Sequence, residues 1–447
     1  MIKFTLIVIN IKGDQNMKCL LLGNGGREAV IAENLAKGYS LYSIMPYKNR
    51  SITEAVEKSH GKYIIGSPFD KELVKEFITK ENIEMCVVNS DNLLQDGLID
   101  LAQSLGLKTF GPTSKGAKIE WSKTYALDVI DQIDPSLNIK TFNVKNADEL
   151  RKAIDNYNDC NFVVKPEGLT AGKGVKVGGD HFSTKEEGFE YAKSCLEASG
   201  NVIIQDLIKG TEFTVLGFTD GKNIVITPIT YDYPYRYDAD KGPGTGGMGC
   251  IGFPDGKLPF LTDNDIAKCR DIMEKALKII NHEAIEFTGV LYGGFFKCND
   301  GLKFIEFNAR LGDPEAINVL NALETPFSEV VYSIANGTLT SEKCKFKEEY
   351  TFIVYVVSKD YAVRDASDKI EFTLDKDGIE SAGAKIYFSA AEHLGDNRYK
   401  TTGNSRLFGI AATGKTYEEV NSKVYGVIEK YVPEVLDYRK DIGTIRK

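Results

Sequence analysis

Phe304-Ile305-Glu306-Phe307-Asn308-Ala309-Arg310-Leu311-Gly312-Asp313-Pro314-Glu315 reads as a strand that runs into a turn. Alternate residues of a strand share a face, so Glu306, Asn308 and Arg310 point together. A carboxylate and an amide oxygen are hard ligands, suited to a Mg²⁺ ion that carries phosphates. An arginine beside them can stabilise charge on a phosphoryl group in transfer. A polar face turned to solvent is the competing reading, but Phe304, Ile305 and Phe307 favour a buried position. The strand has a partner in the sequence, because Val290–Lys297 precedes Lys303–Phe307 across the turn Asn299-Asp300-Gly301.

Three glycine-rich loops lie upstream. In Val163-Val164-Lys165-Pro166-Glu167-Gly168-Leu169-Thr170-Ala171-Gly172-Lys173-Gly174-Val175, Lys165 and Lys173 flank small residues between the strands Phe162–Lys165 and Lys176–Val177. This is the chemistry of a lid whose amides and ammonium groups meet triphosphate oxygens. It is not a Walker loop, since no Ser or Thr follows a Gly-Lys at that spacing. Taken alone, the loop also reads as a hairpin with surface lysines. The segment Asp238–Gly249 carries five glycines in eight residues, Gly242 to Gly249, among them Gly246 and Gly247. That is more freedom than a stable loop needs, which points to binding or closure, with a purely structural loop as the competing reading.

The remaining loop, Gly23-Asn24-Gly25-Gly26-Arg27-Glu28, follows the apolar run Lys18–Leu22 and opens a helical pattern to Lys37. Glycines there let backbone N–H groups approach a phosphate at a helix N-terminus. A dinucleotide site would also want an acid closing the second strand, yet Leu41–Met45 runs into Pro46-Tyr47-Lys48. A substrate phosphate therefore fits better than a nicotinamide cofactor, and a ligand-free strand-to-helix turn stays open.

Around these loops the chain alternates strands and helices through Lys71–Lys80, Met85–Val88, Leu94–Leu105 and Thr109–Phe110, which predicts a parallel sheet covered by helices. A helix follows over Ala117–Ile130, and Pro135 breaks the pattern. Glu212–Phe218 and Asn223–Thr227 form an antiparallel pair, Asp263–Ile280 is helical, and after Gly337 short strands and one helix, Tyr417–Tyr431, mark a last domain. The length of 447 residues accommodates about three domains. The fold class expected is multidomain α/β and α+β. An N-terminal parallel α/β domain covers 1–114, with 1–16 as a possible extension or edge strand. A core covers 115–136 and 208–338, with a lid subdomain over 137–207 and a mixed C-terminal domain over 339–447.

Acidic residues outnumber basic ones, 64 to 55, which argues against a protein that coats nucleic acid. No stretch reaches the length of a membrane span, and the apolar opening Met1–Ile11 lacks a small-residue cleavage pattern. Eight scattered cysteines without a CxxC pair read as reduced thiols in a cytoplasmic protein. Four histidines without paired spacing offer no zinc site.

The four elements, in this order, resemble the ATP-grasp ligases and, among them, the phosphoribosylamine–glycine ligase family. The resemblance extends from Met17 over nearly the whole chain. It includes Gly111-Pro112-Thr113, Trp121-Ser122-Lys123, Thr413-Gly414 and Tyr438-Arg439-Lys440-Asp441-Ile442-Gly443. It implies a lid over an ATP-grasp core and the ATP-dependent joining of glycine to 5-phosphoribosylamine through a glycyl phosphate. The small-molecule partners would be ATP, glycine and the amine, with Mg²⁺ or Mn²⁺ and with neither nucleic acid nor membrane. A monomer is expected, with an oligomer left open.

By matching position, the resemblance puts Lys123 and Lys165 on ATP phosphates and Lys173 in the lid. Asp206, Leu207 and Ile208 would lie against adenine and Glu212 on the ribose. Glu306 and Asn308 would hold the metal. Arg310 and Asp313 would line the reaction centre with Asp232 near the amino acid. Gly25, Gly26, Arg27 and Glu28 would meet the phosphoribosylamine, and Asp91, Gly246 and Gly247 are counted on the substrate side. The chain departs from the family pattern at Ala29 (usually His), Asn89-Ser90-Asp91 (Gly-Pro-Glu), Gln205-Asp206 (two glutamates) and Tyr231-Asp232-Tyr233-Pro234-Tyr235-Arg236 (Gln-Asp-His-Lys-Arg). These departures leave open a paralogue that joins another carboxylate to another amine. A silent nucleotide-binding relative is a further alternative.

Overall fold

The computed structural model describes residues 17–169, 174–283, 286–363 and 369–445. The readings of residues 1–16 and of Lys173 lie outside the described residues. At the N-terminus, five parallel strands run in the order Tyr63–Ile65, Ser40–Met45, Lys18–Leu22, Met85–Val88, Lys108–Phe110. Leu20 to Leu22 and Met85 to Val88 are fully buried, as continuous apolar strands between two helical layers must be. The chain leaves the central strand first toward one edge and later toward the other. The carboxyl ends of Lys18–Leu22 and Met85–Val88 therefore part around a crevice, where this topology places ligands. Gly23–Glu28 and Asn89–Asp91 leave from those two ends.

Two of the expected helices are broken, and both breaks have local causes. Leu94–Leu105 divides into Asp91–Gln95 and Leu98–Ser104 at Gly97, whose φ of +82° an L side chain rarely adopts. Ala117–Ile130 divides into Ser114–Trp121 and Lys123–Ile133 at Ser122, which is extended and accepts the Tyr125 N–H on its hydroxyl at 3.3 Å.

A four-stranded antiparallel sheet follows, in the order Thr141–Val144, Val202–Asp206, Phe162–Pro166, Lys176–Val177. The helices Ala147–Asp155 and Lys185–Ser199 cover it. Val144, Leu150, Phe162, Val164, Ala192 and Ile204 belong to a core that shares no residue with the other three apolar clusters. This unit is thus a separately packed body.

The largest sheet crosses the expected boundary at 338/339. Its path is Gly301–Asn308, Gly289–Cys298, Thr211–Thr219, Thr230–Asp232, Gly249–Gly252, Tyr350–Ser358, Phe408–Gly414, Lys385–Phe388. The antiparallel pairs expected for Glu212–Phe218 with Asn223–Thr227 and for Val290–Lys297 with Lys303–Phe307 are present. In the second pair Gly294 faces Glu306 and Phe295 faces Phe304, so Ile305 is an extra, bulged residue. Bulges of this kind re-aim side chains beside functional sites. Helix Tyr417–Tyr431 forms as expected, joined by a short helix, Lys376–Ser381. The C-terminal part also grips the N-terminal sheet, where the Tyr47 hydroxyl donates to the Ser389 carbonyl and the Asn49 amide to that of Phe388, both at 2.9 Å.

Candidate active site

A cavity of about 1210 Å³ opens where the three sheets meet. Its wall includes Arg27, Asp91, Lys123, Lys165, Asp206, Leu207, Ile208, Glu212, Asp232, Gly246, Glu306, Asn308, Arg310 and Asp313. Residues separated by almost 300 positions thus converge on one space. Gly25, Gly26, Glu28 and Gly247 stand behind that wall.

At the N-terminal corner, the Glu28 carboxylate accepts the Gly25 N–H at 2.7 Å and the Arg27 Nε–H at 3.2 Å. One backbone N–H at the helix start, that of Gly25, is therefore taken by an internal acid. The glycines have packing reasons. A Cβ on Gly23 would lie 2.9 Å from Glu28 Cγ, and one on Gly26 would lie 2.1 Å from the Tyr355 hydroxyl. Arg27 is the member of this turn that faces the cavity, with a second bond to the Leu311 carbonyl at 3.0 Å. Burial pushes the Asp91 carboxyl up, but the guanidinium groups of Arg310 and Arg27 outweigh it, and the group stays below its ordinary range.

At the end of the cavity next to the four-stranded unit, Lys165 projects from Phe162–Pro166 and Lys123 from the first turn after the Ser122 break. Burial lowers both ammonium pKa values, and Glu306 partly restores them. Lys123 Nζ donates to the Gly168 carbonyl at 2.6 Å, and the Ser122 hydroxyl donates to Glu167 at 3.0 Å, so this corner holds the loop of the four-stranded unit. Asp206 accepts the Tyr157 hydroxyl at 2.8 Å. Burial, reinforced by Glu306, raises Glu212 to about 7.

The bulged strand end is organised as a relay of polar contacts. Asn308 Nδ2 donates to Glu306 at 3.0 Å, and Arg310 Nη2 donates to Asn308 Oδ1 at 3.2 Å. Arg310 also pairs with Glu120 at 2.9 Å, and Glu120 accepts the Ala309 N–H at 2.9 Å. Among the described residues no group of three or more His, Cys, Asp or Glu converges on a metal-sized space. A divalent ion here would take the Glu306 carboxylate and the Asn308 amide oxygen from the protein, and its other ligands from phosphate and water. Two hard oxygen donors that leave most of the coordination shell to substrate fit Mg²⁺.

On the far wall lie Asp232, Glu315, Asp313 and Arg406. Burial, then Glu315, pushes the Asp232 carboxyl well up, and burial also raises Glu315. Gly247, with φ +99°, lets the loop pass: a Cβ there would lie 2.5 Å from both Asp232 Oδ1 and Pro314 Cδ. Arg236, the basic residue of the altered loop, is turned away from the cavity and pairs with Asp437 at 2.7 Å. Sequence reasoning missed Glu120, Glu315, Tyr355 and Arg406. Glu120 lies one residue before the Trp121-Ser122-Lys123 motif and Glu315 ends the quoted strand-turn segment, so both were within reach. Tyr355 and Arg406 stand in unremarkable C-terminal segments.

A lid-like antiparallel unit, a second sheet and a cavity between them lined by lysines, acids and a paired arginine define the ATP-grasp class of ATP-dependent ligases. Residues 17–120 match the phosphoribosylglycinamide synthetase N domain and residues 121–316 its ATP-grasp (A) domain. The chain belongs to the phosphoribosylamine–glycine ligase family. It is 38% identical over 438 residues to the phosphoribosylamine–glycine ligase of Methanococcus maripaludis, covering 96% of this chain and 97% of that one. The Methanocaldococcus jannaschii protein of the same name is 35% identical over 436 residues, with 96% of each chain covered. The crystal structure of the Thermotoga maritima phosphoribosylamine–glycine ligase superposes with a TM-score of 0.76 at 26% identity, covering 95% of this chain and 100% of that one. The biotin carboxylase domain of the Hydrogenobacter thermophilus 2-oxoglutarate carboxylase shares the fold at 15% identity, with a TM-score of 0.67 over 94% of this chain and 91% of that one.

Proposed function

We propose that the chain joins glycine to 5-phosphoribosylamine, with ATP consumed, and releases glycinamide ribonucleotide, ADP and phosphate. A carboxylate is a poor electrophile until one of its oxygens becomes a phosphate leaving group. In the first step a glycine carboxylate oxygen attacks the γ-phosphorus and ADP departs. In the second the amine nitrogen attacks the carbonyl carbon of the glycyl phosphate, loses a proton, and phosphate departs. Catalysis of such steps is mostly positioning and charge neutralisation.

The observation that carries this reading is the convergence of Lys123, Lys165, Glu306, Asn308 and Arg310 on one cavity with Asp232 across it. In this reading Lys123, Lys165 and Lys173 neutralise ATP phosphates, Asp206 to Ile208 face the adenine, and Glu212 takes the ribose hydroxyls. Glu306 and Asn308 hold Mg²⁺ or Mn²⁺, which supplies charge neutralisation when bound. Arg310 steadies the transferring phosphoryl group. Asp232 receives the amino acid, while Arg27 and Asp91 face the phosphoribosylamine. The unit 137–207 acts as the lid.

Tyr235, which lines the cavity, and the turned-away Arg236 of the loop 231–237 favour, as a second reading, a different carboxylate or amine. ADP release measured with Mg·ATP, glycine and fresh 5-phosphoribosylamine, each omitted in turn, separates the two. Turnover that requires all three components supports the first reading. ADP release only with another amino acid or amine supports the second.

A further inference from the structure

Arg406 lies beyond both matched domains, the second of which ends at residue 316. It is nonetheless buried against the cavity wall, at 9% exposure, with its guanidinium 4.6 Å from the Tyr355 ring centre. Its Nη1 donates to the carbonyls of Gly246, Gly247 (3.0 Å) and Asp313 (2.8 Å), and its Nη2 to the Asp313 carboxylate at 2.9 Å. The other carboxylate oxygen of Asp313 accepts the Tyr355 hydroxyl at 2.6 Å. Both oxygens of Asp313 are thus engaged by the C-terminal segment, and Asp313 works as an anchor there.

We infer that Arg406 is a positioning residue that fixes the glycine loop 244–249 against the turn carrying Asp313, so that the C-terminal segment sets the geometry of the reaction centre. A loop with this much glycine has no rigidity of its own. A planar guanidinium can satisfy several acceptors in a fixed fork, which a lysine ammonium cannot. The bonds of Arg406 all lie on the Asp232 side of the cavity, and none reaches Lys123, Lys165, Glu212 or residues 206–208. Loss of Arg406 therefore loosens the acceptor side and leaves nucleotide binding in place.

The kinetic part rests on the proposed function, so the test pairs it with a measurement that does not. Amide hydrogen exchange on the full chain is compared for wild type, Arg406→Met, Arg406→Lys and Tyr355→Phe, alongside kcat and Mg·ATP affinity by calorimetry. The expected result is exchange at least about tenfold faster in 244–249 for both Arg406 variants, with 141–206 unchanged. In parallel kcat falls on the order of 100-fold, the scale of a misplaced reactant, while ATP affinity stays within about twofold. Tyr355→Phe, which removes one hydroxyl, shows the same pattern at smaller size and serves if Arg406→Met does not fold. Unchanged exchange in 244–249 overturns the inference. So does full kcat in Arg406→Lys, or an ATP affinity that falls in step with kcat. A wild type without turnover on glycine and 5-phosphoribosylamine overturns the proposed substrates, and the exchange result still decides the role of Arg406.

Discussion

Arg310 and Glu120 form an ion pair of 2.9 Å, with the Glu120 side chain only 4% exposed. Glu120, the penultimate residue of the helix Ser114–Trp121, holds the turn after Asn308 by two points, the guanidinium and the Ala309 N–H. Burial raises the Glu120 pKa and Arg310 opposes it, so the pair holds its charges against desolvation only as a pair.

Removing one partner should therefore be costly. Glu120→Ala is expected to lose about 3–5 kcal/mol of stability, the range for a broken buried pair, and most of the turnover. Urea unfolding followed by fluorescence checks the first, and ADP release the second. A loss below about 1 kcal/mol would mean that Arg310 finds another partner.

Glu306 faces open cavity and supports little packing. Glu306→Ala is expected to keep the melting temperature within a few degrees and to reduce turnover by at least about 100-fold. Wild-type activity in that variant would remove Glu306 from the metal site.

Arg27 faces the cavity from the turn in which Glu28 accepts the Gly25 N–H. Arg27→Ala is expected to raise KM for the phosphorylated amine by about tenfold, with KM for ATP little changed. Steady-state kinetics with each substrate varied decides this, and an unchanged amine KM would place that substrate elsewhere.

Burial raises the Glu212 carboxyl to about 7 in the folded protein, whereas the unfolded chain releases its proton near 4.5. Between those values the folded state binds more protons, so stability must fall as pH rises through that window. The melting temperature of wild type, compared with Glu212→Gln from pH 5 to 7.5, is expected to decline more steeply. Parallel curves would show that Glu212 is already ionised across that range.

Much of the architecture was legible because it is local. The apolar runs Lys18–Leu22 and Met85–Val88, the turn Asn299-Asp300-Gly301 and the periodicity of Tyr417–Tyr431 all speak through neighbouring residues. The helix Lys185–Ser199 went unremarked although Thr184 and Glu187 form a capping box at 3.2 and 3.3 Å, a spacing present in the sequence. The helix breaks at Gly97 and Ser122 were harder, since periodicity continues across them. On the site side, motif residues announced themselves by composition. Arg406 did not, because its partners lie 93 and about 160 residues away and nothing in Asn404-Ser405-Arg406 marks them.

Because Gly249–Gly252 pairs with Tyr350–Ser358, the matched region up to residue 316 is not a self-contained folding unit. A chain ended after residue 338 would leave the N–H and C=O groups along that edge of Gly249–Gly252 bare, with Cys250 and Ile251 beside them. Such an open strand is a template for pairing between molecules. Shortened forms of this protein should accumulate as aggregates, whatever nucleotide is supplied to them.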